Sequence, residues 1–412
     1  MALAGEVATL RPSWLNVRRL RAQAIALAIC MWGVYAWVLA TPGLRDRNHL
    51  IKGTDFLHFY VLGSLANLHR GSALYDIGAQ TQMLAERVPE AGGTVYLPLY
   101  GPQVSLVLAP FAQFPYGVAL AAWWLATSGI YGLCVYAIWK TCSHLRECGG
   151  AVALAALAYP AFFHLIAWGQ TSAIALACFT GAYLLMRKEQ WFAAGLTLGC
   201  LAFKPQLGLA AACIFLLTGL WRVIAGALIT GSVQLVIGWM YYGSQTMEEY
   251  IRHTLQIPQV LGLLEPRMYQ THALRTFWEM LVPWPSVALV MYAVSAVAVV
   301  ALATWCWRSS LPLSLRYSAL LLATVLVSPH LTVYDLVILA PALLLMVDWL
   351  VANPNNPSHR AIAVLCYLTY LLPLVGPLAQ WTHVQLSVIA MAALLGILWK
   401  DATTTGRAAL AA

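Results

Sequence analysis

Apolar stretches separated by short polar connectors make up most of the chain. The first runs from Ala22 to Ala40. Others follow at about 98–114, 117–139, 151–166, 170–187, 191–203, 205–220, 223–242, 286–307, 317–328, 335–352, 361–377 and 384–400. Several reach the roughly 20 residues that a helix needs to cross a bilayer core. The pattern therefore predicts an all-α polytopic membrane protein. Two longer segments, 42–97 and 243–285, interrupt the apolar runs and are predicted to be loops outside the membrane. Within the first, apolar residues from Phe56 to Leu68 recur at helical spacing, with His58 and Asn67 as polar exceptions and His69 and Arg70 just beyond. That spacing predicts an amphipathic helix lying along the membrane surface.

Composition sharpens this picture. Of 412 residues, 61% are hydrophobic and 9% charged, and mean hydropathy is +0.74. Soluble domains carry about 25% charged residues, so a soluble chain is excluded. The net charge of +8 is not gathered into a basic block, so nucleic acid is not an expected partner. Nine cysteines fall mainly in apolar runs, and the two long loops contain none. A disulfide framework and a structural zinc site are therefore not expected.

The few charges set the topology. Arg11, Arg18, Arg19 and Arg21 precede a span-length run with no small-residue cleavage site, which reads as a start-in anchor rather than a signal peptide. Lys140/Arg146, Arg187/Lys188, Arg222, Arg308/Arg316, Arg360 and Lys400 mark cytoplasmic connectors. Ten of the 15 acids (Asp46, Asp55, Asp76, Glu86, Glu90, Glu248, Glu249, Glu265, Glu279 and Asp335) lie in the two long loops and one short turn, all assigned outside. Both termini are then cytoplasmic. Thirteen runs conflict with this assignment by one. Either 98–114 or 151–166 fails to cross, or 191–220 is one helix broken at Pro205. The first option keeps the basic connectors inside. The expected architecture is a single transmembrane domain over 1–412, with about 12 helices and no soluble module or internal repeat.

Candidate chemistry is concentrated at a few positions. Asp55 begins the predicted 56–68 helix, where a carboxylate serves either as a plain N-cap or as a general base at the water–lipid boundary. His58, one turn on, shares its face. Lys204, in Phe203-Lys204-Pro205-Gln206, stands between two apolar runs. A lysine there must snorkel, pair, or bind an anion such as phosphate. Gln206 and Trp168-Gly169-Gln170 add polar groups at neighbouring depths. Ser328-Pro329-His330 ends one run and Tyr334-Asp335 opens the next, placing a histidine and a carboxylate at a tight turn; both also fit turn and capping roles. In 243–285, Arg252, His253, Arg267, Tyr269, His272 and Arg275 alternate with aromatics, which suits a sugar or phosphate surface and equally an ordinary interfacial loop. No Asp-x-Asp pair, Walker loop or nucleotide fingerprint occurs, so a soluble nucleotide-sugar donor held through a metal is poorly supported.

Taken in order, several short motifs resemble glycosyltransferase family 87 of the GT-C superfamily. They are Asp55-Phe56-x-x-Phe59-Tyr60, Gly71-x-x-Leu74-Tyr75-Asp76, Tyr96-x-Pro98, Trp168-Gly169-Gln170, Ala194-Gly195-x-x-Leu198-Gly199-x-x-x-x-Lys204-Pro205, and Ser328-Pro329-His330 with Tyr334-Asp335. The resemblance spans about residues 52 to 340. It implies a GT-C-type bundle with amphipathic helices in the first outer loop. The implied activity moves a hexose, typically mannose, from polyprenyl phosphate to a lipid-linked or cell-envelope glycan on the extracytoplasmic face of the plasma (inner) membrane. It places the catalytic acid residue of the family at Asp55. It extends to Lys204 and His330 as groups at the donor phosphate. His58, Tyr60, Tyr96, Gln170, Gln206, Tyr334 and Asp335 stand beside them as further candidate substrate-binding residues.

The chemistry agrees with the composition. A polyprenyl-phosphate donor is itself membrane-embedded, and its leaving phosphate needs cations rather than a cofactor or bound metal. Asp55 would take the proton from the attacking hydroxyl, with inversion at the anomeric carbon. The alternatives are a transporter or flippase for lipid-linked sugars, or an envelope ligase using a diphosphate-linked glycan. A transporter predicts internal repeats and charges near mid-span.

Overall fold

A computed structural model describes residues 16–264 and 267–411. Arg11 and Glu265, both used in the topology argument, lie outside the described residues. Among the described residues the regular elements are α- and 3-10 helices, and β pairing is limited to two isolated bridges, Arg45↔Ile51 and Thr271↔Thr332. All nine cysteines are free.

The first helix, α1 (Val17–Leu39), is followed in the first long loop by α2 (Phe56–Asn67), α3 (Ile77–Arg87) and the seven-residue α4 (Pro102–Leu108). Next come α5 (Tyr116–Trp139), α6 (Gly149–Leu157), α7 (Pro160–Trp168), α8 (Ser172–Met186), α9 (Trp191–Gly199), α10 (Leu209–Leu217) and α11 (Trp221–Tyr242). The second long loop holds α12 (Ser244–Leu264) and α13 (Leu274–Leu281). The chain ends with α14 (Pro285–Arg308), α15 (Leu313–Val327), α16 (Ala340–Ala352), α17 (His359–Leu371) and α18 (Leu386–Ala411).

Among the described residues, seven helical segments are long and apolar enough to cross a membrane: 17–39, 116–139, 221–242, 285–308, 333–352, 359–382 and 386–404. An eighth results if the pair bent by 49° at Tyr159-Pro160 counts as one span. The bend falls where proline can start a helix but cannot continue one. Four further apolar helices are shorter: 172–186, 191–203, 205–217 and 313–327. A 15-residue helix such as α8 rises only about 22 Å, against about 30 Å of hydrocarbon. The expected dozen is reached only by counting these short helices as crossings.

The conflict in the early topology has a structural answer. The 98–114 run forms α4, whose seven residues rise about 10 Å, followed by Pro110 and Pro115. It does not cross. The 191–220 segment is not one broken helix. A Cβ on Gly195 would lie 2.1 Å from Val223 O, one on Gly199 2.4 Å from Ala227 O, and one on Gly226 2.3 Å from Phe192 O. The contacts advance together from 195/223 through 199/227 to 202/231, so α9 and the start of α11 run parallel, backbone against backbone, as small residues permit. The chain from α9 must therefore return through α10 to begin α11 at the same level. It is a hairpin with Lys204-Pro205 at its tip.

The first long loop departs from expectation. α2 is buried from Phe56 through Ala66 and is not a surface-lying helix. It packs on α4 and the turn Phe111–Gln113, so closely that a Cβ on Gly63 would come within 2.6 Å of Leu108 O. A helix apolar all round is an interior helix, and its partners come from a segment some 45 residues away. The amphipathic helix of this loop is instead α3, which buries Gln80, Met83 and Leu84. The two main apolar cores lie around Phe56, Tyr60 and Trp123 and, larger, in the bundle, and both pack against Trp124 and Phe203. Lys204 follows Phe203 at that seam.

Candidate active site

Asp55 is positioned from three directions. Its N–H donates to Trp168 O at 3.0 Å. Tyr96 donates its hydroxyl to Thr54 O, and Trp123 Nε1 donates to Gly169 O at 2.9 Å. Gly169 has φ +71°, and a Cβ there would sit 2.7 Å from Phe56 Cβ. Glycine therefore lets the Trp168–Gln170 turn dock on the start of α2. Asp55 occupies the N-cap position but makes no side-chain cap bond. Its carboxylate instead accepts from Gln170 Nε2 at 2.6 Å. Burial pushes this carboxyl up to about 6; the Gln170 bond and Lys204 pull the other way, Asp335 adds to the rise, and His330 opposes it.

Lys204, buried at the hairpin tip, does not snorkel. Its Nζ lies 3.0 Å from Asp335 Oδ1, 3.2 Å from Ser172 Oγ and 3.5 Å from Gln170 Oε1, and 5.1 Å from the centre of the Tyr334 ring. Asp335 also accepts from Ser172 Oγ and from Thr332 N at 3.2 Å, closing a capping box. Asp335 thus caps its helix, as expected, and also pairs with Lys204. The result is a continuous relay, Asp55–Gln170–Lys204–Asp335, drawn from four distant segments. Apolar walls, including the Trp168–Tyr334 ring pair at 5.5 Å, raise the strength of each electrostatic contact in it.

His330 lies half-buried in the turn that leads to Asp335, near enough to Asp55 to influence its ionisation. The second long loop fastens this turn. Arg275 donates to Pro329 O and pairs with Glu279 at 2.6 Å, while His272 N donates to Leu331 O at 3.2 Å. His58 stacks on Tyr96 with ring centres 4.9 Å apart. Its buried Nε2 has no hydrogen-bond partner, and burial lowers its pKa to about 4, so the ring is neutral.

Not every expected residue joins the relay. Tyr60 is committed elsewhere: its hydroxyl donates to Phe114 O and accepts from Arg87, both at 2.8 Å. Gln206 is half-buried just past Lys204 and stays outside these hydrogen bonds. Ser172, which bridges Lys204 and Asp335, is an addition; its only trace in the sequence is its place two residues after Gln170. Among the described residues no three His, Cys, Asp or Glu side chains gather as metal ligands would.

An array of this kind, with a raised carboxyl beside a buried cation in a helical membrane bundle, fits group transfer. The family model of glycosyltransferase family 87 matches residues 99–329. That is more than half of the chain, and the protein belongs to this family. It is a membrane glycosyltransferase. The matched region includes Gln170, Ser172 and Lys204, whereas Asp55 and His330 flank it. No curated protein and no solved structure matches the chain significantly.

Proposed function

We propose that the enzyme transfers a hexose, mannose foremost, from a polyprenyl-phosphate donor to a lipid-linked or cell-envelope glycan. Asp55 takes the proton from the acceptor hydroxyl as that oxygen attacks the anomeric carbon. The glycosidic C–O bond to phosphate breaks on the opposite side, so the configuration inverts. Lys204, with His330, stabilises the leaving phosphate monoester as negative charge builds on it. Asp335 and Ser172 keep the lysine in place. Gln170 spans the gap between base and cation, and Tyr96 and His58 form an aromatic wall beside Asp55 for the sugar.

The observation that carries this reading is the Asp55–Gln170–Lys204–Asp335 relay. It sets a base near neutrality beside a cation, next to apolar helices that a polyprenyl chain can lie against. Positive-inside reasoning orients it with both termini cytoplasmic and the site on the outer face of the plasma membrane. The four short helices then count as crossings and bring the bundle to twelve, as in the GT-C type, within one domain. No cofactor is required. The alternatives of a lipid-linked-sugar transporter or a polymer ligase are disfavoured by membership in a glycosyltransferase family.

The test is to incubate the purified protein with a panel of polyprenyl-phosphate sugars and candidate glycan acceptors. Acceptor-dependent release of free polyprenyl phosphate is expected with one sugar. No release with any sugar of the panel would overturn the donor assignment.

A further inference from the structure

A second cavity, of about 270 Å³, lies away from the relay, between α1, α6, α16 and α17. Its walls are almost wholly apolar, with Leu27, Val135, Val152, Leu344 and Val347 among them. The stacked rings of Tyr159 and Tyr370, 5.2 Å apart, form the wall nearest the candidate active site. Tyr159 is fixed there by its 2.8 Å bond to Leu336 O, the residue after Asp335.

The opposite end is polar and positive. Tyr367 and Gln23 are bonded at 2.8 Å across the lip, and the exposed Arg21 lines it. Three more exposed arginines surround this end: Arg18, one turn before Arg21 on α1; Arg146, between the lining residues Leu145 and Cys148; and Arg360, one turn before the lining residue Ala363. Two acids are close by. Asp348 is occupied by the backbone N–H groups of His144 and Leu145 and by the His144 ring. Glu147 is exposed beside Arg146.

Charge at the mouth, amide and phenol at the lip, and hydrocarbon walls behind them match one kind of molecule. We propose that this cavity seats an acyl chain of an anionic glycerophospholipid, with its phosphate on Arg21 and the flanking arginines. The volume falls just below the roughly 300–1,000 Å³ typical of small-ligand sites, which suits one chain rather than a whole lipid. A polyprenyl-phosphate donor fits less well, because its phosphate would sit at the end furthest from Lys204. Assignment to the cytoplasmic leaflet follows the orientation proposed above; the site itself does not depend on it. A lipid wedged under Tyr159 would brace the helix that carries Asp335.

The experiment is native mass spectrometry of the full-length protein released from nanodiscs of equal phosphatidylglycerol and phosphatidylethanolamine, with a trace of polyprenyl phosphate. We expect one retained phosphatidylglycerol per protein, preferred at least tenfold. Val347→Trp, which fills the cavity, should abolish retention. Because that variant can also fail to fold, Arg21→Ala/Arg360→Ala is run beside it; it keeps the cavity and should lose the preference for phosphatidylglycerol. Equal retention of both lipids by the wild type, an undiminished preference in the arginine variant, or retention of polyprenyl phosphate instead would each overturn the proposal.

Discussion

Asp55 is subject to opposing forces. Burial favours the neutral acid, whereas the Gln170 amide and the Lys204 charge favour the carboxylate. The balance, near 6, is that of a base usable at neutral pH. Since the base must be ionised to accept a proton, kcat/KM should rise with pH through about 6 and level off above it. Gln170 donates to the ionised form, so Gln170→Leu should move that acid limb to higher pH. A pH–rate profile that does not move would remove Gln170 from this role.

Lys204 and Asp335 depend on each other in a different way. Breaking a buried pair by removing one partner costs about 3–5 kcal/mol, whereas replacing both is far milder. Lys204→Met should therefore unfold at clearly lower temperature, and Lys204→Met/Asp335→Asn should recover most of the loss. Transfer should remain depressed by roughly 10²–10³-fold in both, as when a transition-state donor is removed. Recovery of activity along with stability would make the lysine purely structural. Asp55, Gln170 and Lys204 could be singled out from the sequence because a polar group in an apolar chain needs a reason. The pairing of Lys204 with Asp335 could not, since 131 residues separate them and capping alone explained the acid.

Among the elements, the α9–α10 hairpin matters most, because it carries Lys204 to the seam between the two cores. Its placement rests on the glycines that let α9 lie against α11. Gly195→Val would drive a side chain into Val223 O, which lies only 2.1 Å from an added Cβ. The backbone cannot yield as a flexible side chain would. A loss of more than about 1–3 kcal/mol is expected, read as a fall in unfolding temperature with loss of transfer. Gly150→Ala, where nothing lies within 4 Å of an added Cβ, should leave both unchanged.

Hydropathy found the long helices but misjudged two elements, each for a physical reason. The 98–114 run is apolar enough for a span, yet its prolines confine helix to seven residues. The periodicity of 56–68 pointed to a half-buried surface helix. The segments that cover its remaining faces, α4 and the Phe111–Gln113 turn, lie too far along the chain for local pattern to reveal. The opposite held for the hairpin. Only the contact of Gly195 and Gly226 with the facing backbone distinguishes two short antiparallel helices from one broken one.

At the scale of the molecule, scarce charge and catalysis have one origin. A chain that is 61% hydrophobic and 9% charged lives in the membrane, and each ionic group in its interior must be paired. The relay satisfies that requirement while leaving Asp55 only partly buried, with Lys204 held beside it at the junction of the first-loop core and the bundle. The central claim is that this carboxylate is the base for sugar transfer. It is tested most directly by comparing acceptor-dependent release of polyprenyl phosphate by wild type and Asp55→Asn, reconstituted in the same lipid. The amide keeps the shape and the Gln170 neighbourhood but takes up no proton. The prediction is a fall of at least about 100-fold with unchanged unfolding temperature; turnover within a few-fold of wild type would contradict it.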